Sequence, residues 1–82
     1  MAPDRTAFIV VSCEATLTVF WGALREIRQA LQIARVYWHP DERYHDGRHF
    51  RVEIPISRVA NPQEAQASVC SILIAQGASL TI

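Results

Sequence analysis

RVYWHPDERYHDGRHFRVEIPIS, residues 35–57, is the stretch whose reading decides the fold. Asp46-Gly47 interrupts two runs rich in β-formers, and both of these turn residues tolerate positive φ, which makes the pair a strong hairpin signal. The returning run alternates. Phe50, Val52, Ile54 and Ile56 share one parity, and His49, Arg51 and Glu53 share the other. Only a strand buried on a single side needs that pattern. Counting outward from a two-residue turn pairs Tyr44 with His49, Glu42 with Arg51 and Pro40 with Glu53 on the outward face. The inward face then pairs Arg43 with Phe50, His39 with Ile54 and Tyr37 with Ile56. Pro40 offers no N–H to a ladder, so the outgoing strand, residues 35–45, belongs at a sheet edge, where a bulge can shift the register beyond the proline.

Upstream the rhythm differs. Leu17, Phe20, Leu24, Ile27, Leu31 and Ala34 recur at three- and four-residue steps, the stripe of an amphipathic helix over about residues 16–34. Thr16 or Thr18 supplies its N-cap, and Trp21 flanks the stripe, completing the core or sitting at its rim. No Gly or Pro marks its end. Before it, Thr6 to Cys13 (TAFIVVSC) is apolar at both parities, the signature of a strand central in a sheet or covered on both faces. Met1 to Arg5 is a polar lead-in that should fray.

Downstream, Asn61-Pro62-Gln63-Glu64 starts a second helix with an N-cap side chain, a first-turn proline and a glutamate three residues after the cap. Val69, Ile72, Leu73 and Gln76 follow at helical spacing and Gly77 is the expected stop. Ala78 to Ile82 alternates as a last short strand. The order is β-α-β-β-α-β, an α+β arrangement of the ferredoxin-like kind, with a four-stranded antiparallel sheet and two helices on one face. Strands 6–13 and 48–57 are expected inside the sheet, and 35–45 and 78–82 at its edges.

The totals constrain function. Eighty-two residues make a single domain, 1–82, with a thin core, since a chain of this size buries only roughly 60–65% of its unfolded surface. Half the residues are apolar and the formal charge is zero, which argues against disorder and against a general nucleic-acid binder. All eight basic residues are Arg, the residue suited to bidentate recognition of carboxylate or phosphate. GC-rich coding explains the same bias. Cys13 and Cys70, without a signal peptide, read as buried thiols in a reducing compartment. No apolar run is long enough to span a membrane. Val10-Val11-Ser12-Cys13 resembles a lipoprotein cleavage box, but the apolar run before it is too short for a signal peptide. A cytoplasmic protein is expected.

Arg25-Glu26-Ile27-Arg28-Gln29-Ala30, leading to Trp38-His39-Pro40-Asp41, resembles the second helix and HPD loop of J-domain co-chaperones. The resemblance covers residues 25–41. It implies that His39, Pro40 and Asp41 stimulate a heat-shock ATPase and that Arg25 and Arg28 contact the chaperone. It also implies helix after the tripeptide, where Phe50 to Ser57 alternates like a strand. His39, His45, His49, Asp41, Glu42 and Asp46 form a cluster with zinc-compatible donors, but the spacing is no known ligand frame, so no metal and no cofactor is expected. Neither cysteine neighbours a histidine in sequence, and Gly22, Gly47 and Gly77 are isolated, so neither a nucleophile–base pair nor a phosphate loop is in evidence. RNA recognition on such a fold needs aromatics on the central strands. Phe8 and Phe50 lie there, but Phe50 has the inward parity.

Surface recognition remains. Trp38, Tyr44, His49, Arg51 and Glu53 are the expected partner-binding residues, an aromatic-plus-Arg set typical of interface hot spots. Trp38 belongs to it only if no bulge intervenes; otherwise it packs into the core. The profile resembles that of small inhibitors and adaptors of phages and mobile elements, anti-CRISPR proteins among them. The expectation is therefore a non-catalytic module that binds a protein or a nucleoprotein complex. Pairing of the uncharged 78–82 edge with a second copy offers a route to a homodimer.

Overall fold

The computed structural model describes residues 7–81. Along the chain run β1 (Phe8–Glu14), α1 (Leu17–Leu31), β2 (Tyr37–Pro40), β3 (His49–Pro55), a 3₁₀ turn (Ile56–Arg58), α2 (Pro62–Gln76) and β4 (Ser79–Thr81). The strands form one antiparallel sheet in the order β2-β3-β1-β4. Interior strands β1 and β3 are thus the two apolar ones, and Pro40 lies on an edge, where its missing N–H costs least.

One face of the sheet carries the core. Ile9, Val11 and Cys13 of β1 and Phe50, Val52 and Ile54 of β3 are buried there, against Phe20, Ala23, Leu24 and Ile27 of α1 and Ala65, Val69 and Leu73 of α2. Each fully buried aliphatic or aromatic side chain contributes about 1.5–3 kcal/mol. Burial pushes the Cys13 thiol up to about 11. Cys13 and Cys70 are free thiols, and Cys70 is only half-buried. Among the described residues no helix is long and apolar enough to cross a membrane.

The helix ends follow local chemistry. Thr16 accepts from the Val19 N–H at 3.2 Å, and Asn61 accepts from the Glu64 N–H at 3.1 Å. Gly77, at φ 106°, closes α2 with its own N–H to Ile74 and the Ala78 N–H to Leu73. The end of α1, unmarked in the sequence, is made by Gln32 in the left-handed conformation at φ 55°. The Ile33 N–H then bonds back to the Arg28 carbonyl at 3.1 Å, and Ile33 packs on the core.

The hairpin departs from the expected register. Tyr37 pairs with Glu53, Trp38 with Val52, His39 with Arg51 and Pro40 with Phe50. That is a shift of three residues from the two-residue-turn count, and an odd shift exchanges the two faces of β2. The physical reason lies in the turn. Gly47 has φ 68°, but Asp46 is not at positive φ, so the two-residue type I′ turn does not form. Residues 41–48 form a loop instead. The Asp41 N–H still reaches the His49 carbonyl at 2.9 Å, and the Tyr44 N–H turns back to the Asp41 carbonyl at 3.0 Å. The strand expected over 35–45 is therefore only Tyr37–Pro40, and the strand expected over 48–57 ends at Pro55, with Ile56 in the 3₁₀ turn.

Candidate functional site

Register decides which side chains reach the uncovered face of the sheet. Opposite the helices lie Phe8, Val10, Ser12 and Glu14 of β1, His49, Arg51, Glu53 and Pro55 of β3, and Tyr37 and His39 of β2. Phe8 is 39% exposed, Val10 38% and Tyr37 44%. The Phe8 and Tyr37 rings meet edge to face, with centroids 6.3 Å apart. β1 is apolar at both parities, as read from the sequence, yet only one parity is covered.

Trp38 is corrected. It lies on the helix side, half-buried, with its ring edge-to-face against Phe20 (5.3 Å), Phe50 (5.7 Å) and Trp21 (5.1 Å). Phe20 and Phe50 stack at 4.2 Å beneath it. The other four expected residues stay on or beside the open face. Arg51 sits mid-strand between Ser12 and His39. Glu53 accepts from His39 Nε2 at 3.0 Å. The Tyr44 and His49 rings stack at 3.7 Å and 9°, at the loop end of the sheet. The Arg43 guanidinium lies 5.5 Å from the Tyr44 ring centre.

Local hydrogen bonds fix this loop. Asp46 accepts from the Arg48 N–H at 2.9 Å and from His49 Nδ1 at 2.7 Å. These bonds hold its carboxyl below the usual value, the backbone bond contributing most. Asp41 is 2% exposed. It accepts from Arg43 Nη2 at 2.7 Å, from Arg43 Nε at 3.1 Å and from the Arg43 N–H at 3.1 Å. The Arg43 side chain, ahead of the backbone bond, holds the Asp41 carboxyl down at about 2. His39 has an acceptor at each ring nitrogen, the Pro40 carbonyl at Nδ1 (3.0 Å) and Glu53 at Nε2. Only the doubly protonated ring satisfies both, so its pKa is raised, first by the Pro40 carbonyl and then by Glu53.

His39-Pro40-Asp41 is thus the end of an edge strand, with its aspartate turned inward onto Arg43 and a second strand, β3, following the loop. The likeness to the HPD loop does not extend past the tripeptide. Among the described residues no three His, Cys, Asp or Glu side chains converge as a metal site. The histidines separate: His39 faces Glu53, and His49 faces Asp46.

Sequence reasoning missed Phe8, Tyr37 and His39 as surface residues. It also missed a recess at the far end of the sheet, where Arg35 and Arg58 come together beside Tyr37 and Pro55. The double-parity run Phe8–Val11 was the available signal for the uncovered face. No protein-family model matches this chain, and no curated protein or solved structure is significantly similar to it.

Proposed function

We propose that the chain is a non-catalytic, cytoplasmic, ferredoxin-like interaction module that binds a protein, or a protein–nucleic-acid assembly, through its open sheet face and the adjoining hairpin loop. The split βαβ assignment draws on the element order β-α-β-β-α-β together with the strand order β2-β3-β1-β4. One observation carries the binding reading. An interior strand has apolar side chains on both sides, and the described helices cover only one, leaving Phe8 and Val10 partly exposed beside Tyr37. Aromatic and Arg side chains clustered around such a patch match the make-up of interface cores. The formal charge of zero and the aromatic-plus-Arg surface keep the inhibitor or adaptor role, of the anti-CRISPR kind, as the class of choice.

RNA on the same face is the second reading, favoured by Phe8 on β1 with Arg51 on β3. Glu14 and Glu53 on that face, and a net charge of zero, weigh against it. Affinity capture from the native host distinguishes the two. The double variant Phe8→Ala/Arg51→Ala should lose partners that the wild type retains through nuclease treatment. Retention of every partner by that variant removes the reading, and partners lost only to RNase favour RNA.

A further inference from the structure

Two recesses adjoin where the end of α1 meets the turn after β3. The smaller, about 100 Å³, is lined by Ile33, Ala34, Arg35, Tyr37, Pro55 and Arg58. It is far below the roughly 300–1,000 Å³ of pockets for drug-sized ligands, and it suits one small group with a few waters. The larger, about 520 Å³, shares Tyr37, Pro55 and Arg58 and adds Phe8, Trp38 and Glu53 to its walls. One is therefore a cationic slot and the other an open, aromatic-walled depression.

The charges here are unbalanced. Among the described residues the ion pairs are His39–Glu53, Arg43–Asp41, Arg48–Glu14 and His49–Asp46, and none involves Arg35 or Arg58. Glu64 shares a neighbouring recess with Arg58 but forms no ion pair with it. Glu53, the one acid among the described residues lining the larger recess, is engaged by His39. At the end of α1 the Gln29 and Arg28 carbonyls accept from the Gln32 and Ile33 N–H groups. Arg35 and Arg58 both line the slot, and guanidinium groups suit a planar anion, which their paired N–H donors can bind side by side.

We propose that these recesses together dock an acidic peptide segment of a partner protein. Its carboxylate sits between Arg35 and Arg58, and the apolar side chain before it lies against Phe8 and Tyr37. This rests on the reading of the open face as a protein-binding surface and names the chemistry of what binds there. A polynucleotide fits less well, because its repeating phosphates call for a basic track, and among the described residues two arginines line the slot.

The test is an NMR titration of the ¹⁵N-labelled protein with acetyl-Phe-Glu-amide and, separately, acetyl-Phe-Gln-amide. The glutamate peptide should shift the Arg35 and Arg58 Nε–Hε signals saturably, and the glutamine peptide should bind about tenfold more weakly, the loss expected for one charge-assisted hydrogen bond. Arg58→Met, checked for unchanged amide dispersion, should weaken the glutamate peptide similarly. Equal binding of the two peptides overturns the proposal. So does hexauridylate shifting the same signals at lower concentration. A silent titration alongside partner loss in Phe8→Ala/Arg51→Ala removes the slot and leaves the face; retained partners alongside a saturable titration do the reverse.

Discussion

Replacing Trp38 by alanine separates the observed register from the one a two-residue turn would give. Trp38 makes three edge-on ring contacts, to Phe20, Trp21 and Phe50, and roofs the stacked Phe20–Phe50 pair. A fully buried Trp→Ala costs about 3–5 kcal/mol. Trp38 is half-buried, which argues for about 3 kcal/mol, including about 0.5–1.5 kcal/mol for each aromatic pair. For a domain of this size that lowers Tm by roughly 12–24 °C. Tyr37, on the opposite face with one edge contact to Phe8, should cost about 1 kcal/mol or less on Tyr37→Ala. Urea unfolding followed by far-ultraviolet circular dichroism measures both, and Trp38→Leu provides a milder variant if the alanine protein does not fold. The reverse order, with Tyr37→Ala the more damaging, would place Tyr37 inside and refute the register.

Other outcomes follow from the caps and the charges. Asp41, held at about 2 when folded, contributes stability that is complete above its unfolded value of about 3.9 and lost as pH falls toward 2. Asp41→Asn should remove that acid-side loss from the urea midpoint-versus-pH curve. The raised pKa of His39 acts oppositely: its stabilisation is complete below about 6.5 and disappears as pH rises through the folded value. An NMR titration of the His39 ring should show the pKa fall back in Glu53→Gln. Gln32→Gly should stabilise by up to about 1 kcal/mol, since it relieves a left-handed backbone, whereas Gln32→Val should destabilise. Asn61→Ala should cost about 1 kcal/mol in the same denaturation assay.

What was legible in the sequence is what short-range chemistry decides. Asn61, Pro62 and Gly77 bound α2 through contacts within a few residues. The inward parity of Phe50, Val52 and Ile54 was enough to place His49, Arg51 and Glu53 outward. Trp38 was not legible, because its side depends on which residue of β3 it faces. There the local preference of Asp46-Gly47 for a tight turn lost to the packing of Trp38 on Phe20 and Phe50 and to the burial of Asp41 by Arg43. The stop at Gln32 was hidden for a related reason: nothing in glutamine announces positive φ, and it is the return of Ile33 to the core that accompanies it. Arg35 and Arg58 lie twenty-three positions apart and meet only because α1 and β3 finish at the same end of the sheet. The double parity of Phe8 to Val11 was visible, but a one-dimensional pattern does not say which side the helices choose.

Cys13 gives this molecule a built-in clock. Its sulfur sits without solvent access on an interior strand, and its acidity is suppressed, while alkylating reagents attack only the exposed thiolate. Iodoacetamide can therefore register that position only during excursions that part the middle of the sheet from its helices, and the labelling rate counts them. Mass spectrometry of Cys13, with Cys70 distinguished by peptide, would follow the opening of β1 without any probe added to the chain.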